Sequence, residues 1–344
     1  MNNIENFING LAERVLNGEK LTKEEGLKIL NIPDEYLDLL IKEASKVRET
    51  VFQNEVEFCS LINAKNGACT EDCSFCAQSS KYPTPINAYP LVPKEELIEG
   101  AQKAVSIKAN RYCIVTSGRR ATKEEVEKIA EAVREIKENL PVKVCVSIGS
   151  VDEEDLRLLK EAGVERVNHN LETSEQFFPN IVTTHPWKER YETIKKIQKV
   201  GLSTCTGGIF GIGESDEDIV NLAMTYRELN VDSIPLNFLI PIPGTPLENN
   251  KQLTPEKCIK IIALFKFFNP QSEIRLCGGR EQNLREYHDK AMEIANCLMA
   301  GGYLTRAGRA PGKDEKMIKR LNRKLITQGE LFGKYKQKPV QAET

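Results

Sequence analysis

Val56-Glu-Phe-Cys-Ser-Leu-Ile-Asn63, with Cys69-Thr-Glu-Asp-Cys73-Ser-Phe-Cys76 close behind it, is the stretch from which the rest of the chain is read. The first part is an apolar run of strand length. It opens a repeat in which a short apolar or β-branched run is followed by an amphipathic run of helical length, the pattern of a parallel sheet with crossover helices. Candidate strands cover 56–63, 111–117, 142–148, 165–170, 202–208, 233–239, 273–277 and 297–304. Candidate helices lie between them at 94–109, 122–139, 153–162, 186–200, 216–229, 255–269 and 284–296. Eight strands are the number that closes an α/β barrel, so the fold expected over 56–312 is a (β/α)8 TIM-type barrel.

The flanks read differently. Residues 1–55 form an N-terminal helical extension without a strand: Leu11, Val15 and Leu16 share one face, and Thr22-Lys-Glu-Glu25 is a capping box ahead of Leu27, Ile29 and Leu30. Asn31-Ile-Pro-Asp34 breaks the pattern before a further helix over 36–47. Residues 313–344 are expected to form a C-terminal helix, with Met317, Ile318, Leu321 and Leu325 on one face, and a loose tail from Gly333.

Forty-eight basic and 50 acidic residues leave a net charge of −2, without the basic excess that would favour nucleic acid as a partner. No cationic stretch runs into an apolar leader near the start, and no run of 18 apolar residues occurs. A cytoplasmic protein that does not enter a membrane is expected. Ten cysteines in such a chain point to metal binding or reactive thiols in a reducing compartment.

Cys69, Cys73 and Cys76 can be delivered by one short loop. Thiolates suit zinc or iron-sulfur clusters, and a cluster of four irons needs four ligands. The loop supplies three, and an open position is what separates a reactive metal site from a structural one. Cys113, Cys145 and Cys205 fall within predicted strands and would meet across the barrel axis if all three point inward. Arg275 and Cys277 stand two apart on the seventh strand and face the same side. Cys59 and Cys258 read as small buried hydrophobes, and Cys297 has no comparable placement.

These features resemble the radical S-adenosylmethionine (SAM) superfamily and, within it, the biotin synthase family. The resemblance is carried by the triplet with Asn63-Ala-Lys-Asn-Gly67-Ala ahead of it, by Val167-Asn-His-Asn-Leu-Glu-Thr173, Ile181-Val-Thr-Thr184 and Cys205-Thr-Gly-Gly-Ile-Phe-Gly-Ile-Gly-Glu214. Pro235-Leu-Asn237, Gly244-Thr-Pro-Leu247 and Arg275-Leu-Cys-Gly-Gly-Arg-Glu-Gln282 extend it. It implies a 4Fe-4S cluster on Cys69, Cys73 and Cys76, with SAM on the open iron and cleaved to a 5'-deoxyadenosyl radical. The radical would act on dethiobiotin, and sulfur from an auxiliary 2Fe-2S cluster on Cys113, Cys145, Cys205 and Arg275 would close the ring of biotin. By the same resemblance Phe75, Asn170, Glu172, Arg190 and Ile209 contact SAM, while Asn168, Asn170, Asn237 and Thr305 contact substrate. A flavodoxin- or ferredoxin-type electron donor and a homodimer are also implied. The Gly207–Gly213 stretch would let SAM approach the backbone, and His169 is expected to pack away from the site.

Two departures stand out against that family. Cys277 replaces a small polar residue, and Ala295-Asn-Cys297-Leu-Met299 with a shortened segment after it alters the last wall. Cys277 is therefore expected to displace Arg275 and complete a four-thiolate set able to hold a 4Fe-type auxiliary cluster. Two other readings compete: a radical SAM enzyme of the hydrogenase-maturation or methylornithine-synthase type on another small substrate, and a non-enzyme with structural zinc or an electron-transfer cluster.

Overall fold

The predicted alternation of strand and helix closes on itself. The computed structural model describes residues 3–306 and 308–327. Strands β1 (Glu55–Lys65), β2 (Arg111–Thr116), β3 (Lys143–Ser147), β4 (Val164–Asn168), β5 (Ser203–Cys205), β6 (Gly208–Phe210), β7 (Ser233–Phe238), β8 (Glu273–Leu276) and β9 (Cys297–Met299) all pair in parallel. β9 pairs with both β8 and β1, so the sheet is a closed barrel. β5 and β6 together form the fifth of its eight staves.

That fifth stave was expected as one strand and is broken at Thr206-Gly207. The backbone there presses so closely on β7 that a Cβ at Gly207 would lie 1.9 Å from the Pro235 carbonyl oxygen. Only glycine fits. The fourth strand stops at Asn168, short of the expected 170, and the last stops at Met299, well short of 304. Ala300-Gly-Gly ends the last one, with Gly301 at φ +89°.

The crossover helices follow their caps. Thr122 and Glu125 form the expected reciprocal box at the start of Lys123–Asn139, and Ser215 with Asp218 forms another before Asp216–Glu228. The helix expected at 284–296 is two pieces, Arg280–Leu284 and His288–Ile294.

Ahead of β1 lie the helices Asn3–Asn9, Leu11–Leu16, Lys23–Leu30 and Leu37–Phe52, which pack over Asp216–Glu228, Pro255–Phe268 and His288–Ile294. This cover explains why Pro255–Phe268 is apolar nearly all round: its outer face is a core face too.

The C-terminal helix is Pro311–Arg320, with proline at its first position as helix starts favour. Leu325, expected on the same helical face, instead lies in a short strand β10 (Lys324–Leu325) that pairs with the start of β1. The tail from Gly333 lies outside the described residues. Among those residues, no helix is long and apolar enough to cross a membrane.

Candidate active site

Each strand offers alternate side chains to the barrel axis. At the lower end Arg166 donates to Glu273 through both terminal nitrogens, at 2.6 and 3.1 Å, and both residues are buried or nearly so. This charged pair lies at the amino-terminal end of the barrel. Above it a cavity of about 420 Å³ opens toward the carboxyl ends of the strands, within the size range of small-molecule sites.

The cysteine triplet forms the cavity's upper wall, on the loop after β1. Its shape is set by backbone bonds from Cys69 N–H to Gln78 O (3.1 Å) and Cys76 N–H to Cys73 O (2.9 Å). Across from it, the Ile181-Val-Thr-Thr184 segment clasps the loop. Ser74 N–H donates to Ile181 O, and the Asp72 carboxylate accepts from the Thr183 and Thr184 amides at 2.9 and 3.2 Å and from both hydroxyls. Burial works against the ionised Asp72 carboxylate, but these donors outweigh it and bring its pKa down to about 2.

Glu71 leads away from the loop toward His185 and Arg190. Its carboxylate takes the Thr184 hydroxyl at 2.6 Å and a short hydrogen bond from His185 Nδ1, while Arg190 Nε donates to His185 Nε2 at 2.9 Å. That second bond fixes the tautomer: Nε2 must accept, so the proton sits on Nδ1. Arg190 also donates to Asn170 O at 3.0 Å and lies 3.8 Å from Glu172. Glu172 is held at φ +68°, a conformation uncommon for a residue with a side chain, between Gly207 O and the Ile209 amide. Burial raises its pKa, against Arg190 and Asn170, which lower it. Phe75 and Ile209 line the same space half-buried.

Below the triplet the barrel interior is lined with sulfur. Cys113 and Cys145 are register partners on β2 and β3, and the hydrogen bond between them pushes Cys113 up and pulls Cys145 down. Cys205 lies on β5. Arg275 Nη1 donates to Cys205 Sγ and to Cys59 Sγ, each at 3.5 Å, and its Nε donates to Cys297 Sγ at 3.1 Å. Arg111 contributes a second buried cation near these thiols, and its Nε and Nη1 have no hydrogen-bond partner among the described residues. Buried thiols beside Arg275 and the partly unpartnered Arg111 suit an anionic thiolate cluster. All ten cysteines are free.

No three cysteine, histidine or carboxylate side chains among the described residues converge on a single-ion position. The triplet therefore does not meet at one point, as the loop length had led us to expect.

The asparagines rim the upper cavity. Asn168 accepts from Ser147 Oγ at 3.1 Å and donates to Cys205 O at 3.1 Å and Cys205 Sγ at 3.4 Å. Asn170, expected on the same strand, lies beyond its end, and its Oδ1 accepts from the Gly207 amide at 3.1 Å. Asn237 bridges Gly208 O and the Gly278 amide at 3.2 and 3.0 Å. Thr305 is exposed at the mouth. His169 is buried with its Nε2 unpartnered, although it also borders the cavity.

Residues 65–225 match the model of the radical SAM superfamily, and residues 235–324 match the biotin and thiamin synthesis associated domain. The biotin synthase of Persephonella marina is 82% identical over 97% of this chain and 99% of its own length. That of a Sulfurihydrogenibium species is 73% identical, over 95% of this chain and 98% of its own. This chain belongs to the biotin synthase family of radical SAM enzymes. Among solved structures, methylornithine synthase superposes with a TM-score of 0.79 at 20% identity, covering 94% of this chain and 99% of that one, a likeness of fold.

For a biotin synthase the cofactors are a 4Fe-4S cluster, SAM and an auxiliary iron-sulfur cluster, and thiols of the loop and of the barrel interior line one cavity here. Several groups were not legible in advance. Asp72, Glu71 and His185 were missed, although they sit in the quoted cysteine and Ile181–Thr184 motifs or next to them; acidic residues between the cysteines and threonines in a second motif were the available signal. Cys59 was set aside as structural, yet it lines the cavity and shares Arg275 with Cys205. The glycines also have another use: Gly207 and Gly208 make room for the Pro235 and Glu172 carbonyls.

Proposed function

We propose that this chain converts dethiobiotin to biotin by radical SAM sulfur insertion, with sulfur drawn from the auxiliary cluster. One observation carries the reading: the loop triplet and the interior thiols of Cys59, Cys113, Cys145 and Cys277 line one cavity. When bound, the 4Fe-4S cluster and SAM supply a carbon radical, and the auxiliary cluster supplies sulfur.

The chain's own part is placement. Cys69, Cys73 and Cys76 hold the first cluster, and Phe75, Asn170, Glu172, Arg190 and Ile209 border the position SAM would take. Cys113, Cys145 and Cys205 hold the second cluster, with Arg275 and Cys277 as contenders for its remaining position. Asn168, Asn170, Asn237 and Thr305 line the space left for substrate, where amide groups can answer both the donors and the acceptor of a cyclic urea.

The reading also takes in a flavodoxin- or ferredoxin-type reductant, a homodimer and a cytoplasmic setting, where ten free cysteines stay reduced. The interior thiols have no role in the alternative of a methylornithine-type or maturase-type reaction. An anaerobic assay with reconstituted protein, reductant and SAM tests the proposal. Formation of 5'-deoxyadenosine dependent on dethiobiotin, followed by biotin, is expected; 5'-deoxyadenosine without biotin, or no SAM cleavage, overturns it.

A further inference from the structure

After β9 the chain does not run straight to the Pro311–Arg320 helix. It turns out over the mouth of the cavity, where Tyr303, Leu304, Thr305 and Arg306 all line the wall. The two ends of this loop are pressed together at glycines: Gly301 stands at φ +89°, and a Cβ on Gly308 would lie 1.9 Å from the Gly301 carbonyl oxygen. A loop pinched at its base and carried over a site is a compact element of the kind that often serves function. Thr305 and Arg306, exposed at the mouth, make no side-chain hydrogen bond or ion pair among the described residues. Their position is therefore set by what holds the backbone around them.

Two anchors do so. On one side Asn63, near the carboxyl end of β1, donates from Nδ2 to Leu304 O at 3.0 Å. On the other, the Tyr303 hydroxyl lies 2.9 and 3.1 Å from the two carboxylate oxygens of Glu281 and accepts from Arg280 Nε at 3.2 Å. Its single proton goes to the carboxylate, a charged acceptor and so the stronger kind of hydrogen bond. Glu281 Oε1 also takes the Arg309 amide at 3.1 Å, so one carboxylate gathers both limbs of the loop. The Tyr303 ring packs against the group formed by Cys59, Cys277, Cys297 and Met299, which carries the side chain from the loop into the cavity wall.

We infer that Tyr303 is a positioning residue for substrate: through Glu281 and Arg280 it latches the segment 304–306 across the mouth, and this latch sets how tightly dethiobiotin is retained. The inference rests on the reading that dethiobiotin occupies the cavity with Thr305 beside it. Among the described residues the hydrogen bonds of the Glu281 and Arg280 side chains go to Tyr303, Arg309, Asp314 and Met299, and none goes to the cysteine loop or to Arg190. The effect is thereby confined to substrate.

The test uses the reconstituted full-length protein with SAM and no reductant, so that labelled dethiobiotin binds without turning over. Tyr303→Phe keeps the ring and removes the hydroxyl. It is expected to weaken dethiobiotin binding about tenfold, chiefly through faster dissociation, while iron content and SAM affinity stay at the parent's values. Glu281→Gln is expected to act in the same direction, and the two changes together to lose little more than either alone. Dethiobiotin affinity and dissociation equal to the parent's overturn the proposal. So does a parallel fall in SAM affinity or iron, the mark of a merely structural residue. Hydrogen exchange in the parent gives a check free of any variant: the amides of 303–306 are expected to exchange more slowly with dethiobiotin bound, and no slowing overturns the latch. A parent that binds no dethiobiotin overturns the underlying reading of the substrate instead.

Discussion

Asp72 is the smallest unit on which the hold on the cysteine loop depends. Its carboxylate collects two amide and two hydroxyl donors from Thr183 and Thr184, and hydrogen bonds to a charged acceptor are the stronger kind. Asp72→Asn would leave amides facing an amide, costing about 2 kcal/mol and loosening the cysteine loop. Reconstituted Asp72→Asn protein is expected to hold less iron at the triplet than the parent; equal iron retention under chelator challenge would count against the clasp. His185 acts one step further in, between Glu71 and Arg190. Because it positions Arg190 without bordering a cysteine, His185→Ala is expected to weaken SAM binding about tenfold while iron content holds. Equilibrium SAM binding to the reconstituted protein reads this, and an unchanged affinity would remove His185 from the site's support. Neither residue stood out in the sequence. Cysteine spacing announces a ligand loop, but the acids and histidine that steady such a loop follow no spacing rule.

At the scale of elements, the strands were legible because each is a short apolar run, and the inward thiols of β2, β3 and β5 followed from their positions in those runs. Cys59 was lost for a physical reason. β1 is buried on both faces, with Val56 and Phe58 fully buried outside and Cys59 inside, so hydrophobicity does not mark which residues face the axis. The break in the fifth stave was illegible too, since it depends on a backbone approach from β7 that no local pattern records. The Pro255–Phe268 helix holds one further consequence of burial. Lys266 is fully buried, donating to Ser272 O at 2.9 Å and lying 4.4 Å from the centre of the Phe52 ring. Burial first, then Arg48, lowers its pKa from 10.5 to about 7, against Glu273. Between those values the unfolded chain holds a proton that the folded one lacks. Stability therefore rises with pH across that window, by at most about 1.4 kcal/mol per pH unit from this group. Lys266→Met is expected to flatten the rise in denaturant-unfolding free energy between about pH 7 and 10. A slope equal to the parent's would show that Lys266 stays charged in the fold.

The whole molecule closes around the barrel from both ends of the chain. The N-terminal helices cover the outer face of Pro255–Phe268, and the Pro311–Arg320 helix is tied back by Arg280, whose Nη1 and Nη2 donate to Asp314 at 3.1 and 2.6 Å with both side chains fully buried. This bridge was not expected from the sequence, where the segment from 313 read as an appendage. Arg280→Met leaves the buried Asp314 carboxylate with only Arg309, 3.4 Å away, and is expected to cost about 3 kcal/mol, much of it recovered by adding Asp314→Leu. Chemical denaturation of the two proteins separates that outcome from an ordinary packing loss, in which the double variant would be the worse. What the architecture finally provides is one cavity with the cysteine loop above and interior thiols below, and a single-turnover isotope experiment tests the function proposed for that arrangement most directly. Protein whose auxiliary cluster is built with heavy-isotope sulfide, then mixed with SAM, reductant and dethiobiotin in the absence of free sulfide, is predicted to yield biotin carrying the heavy sulfur. Biotin with sulfur of natural abundance, or no biotin at all, would contradict it.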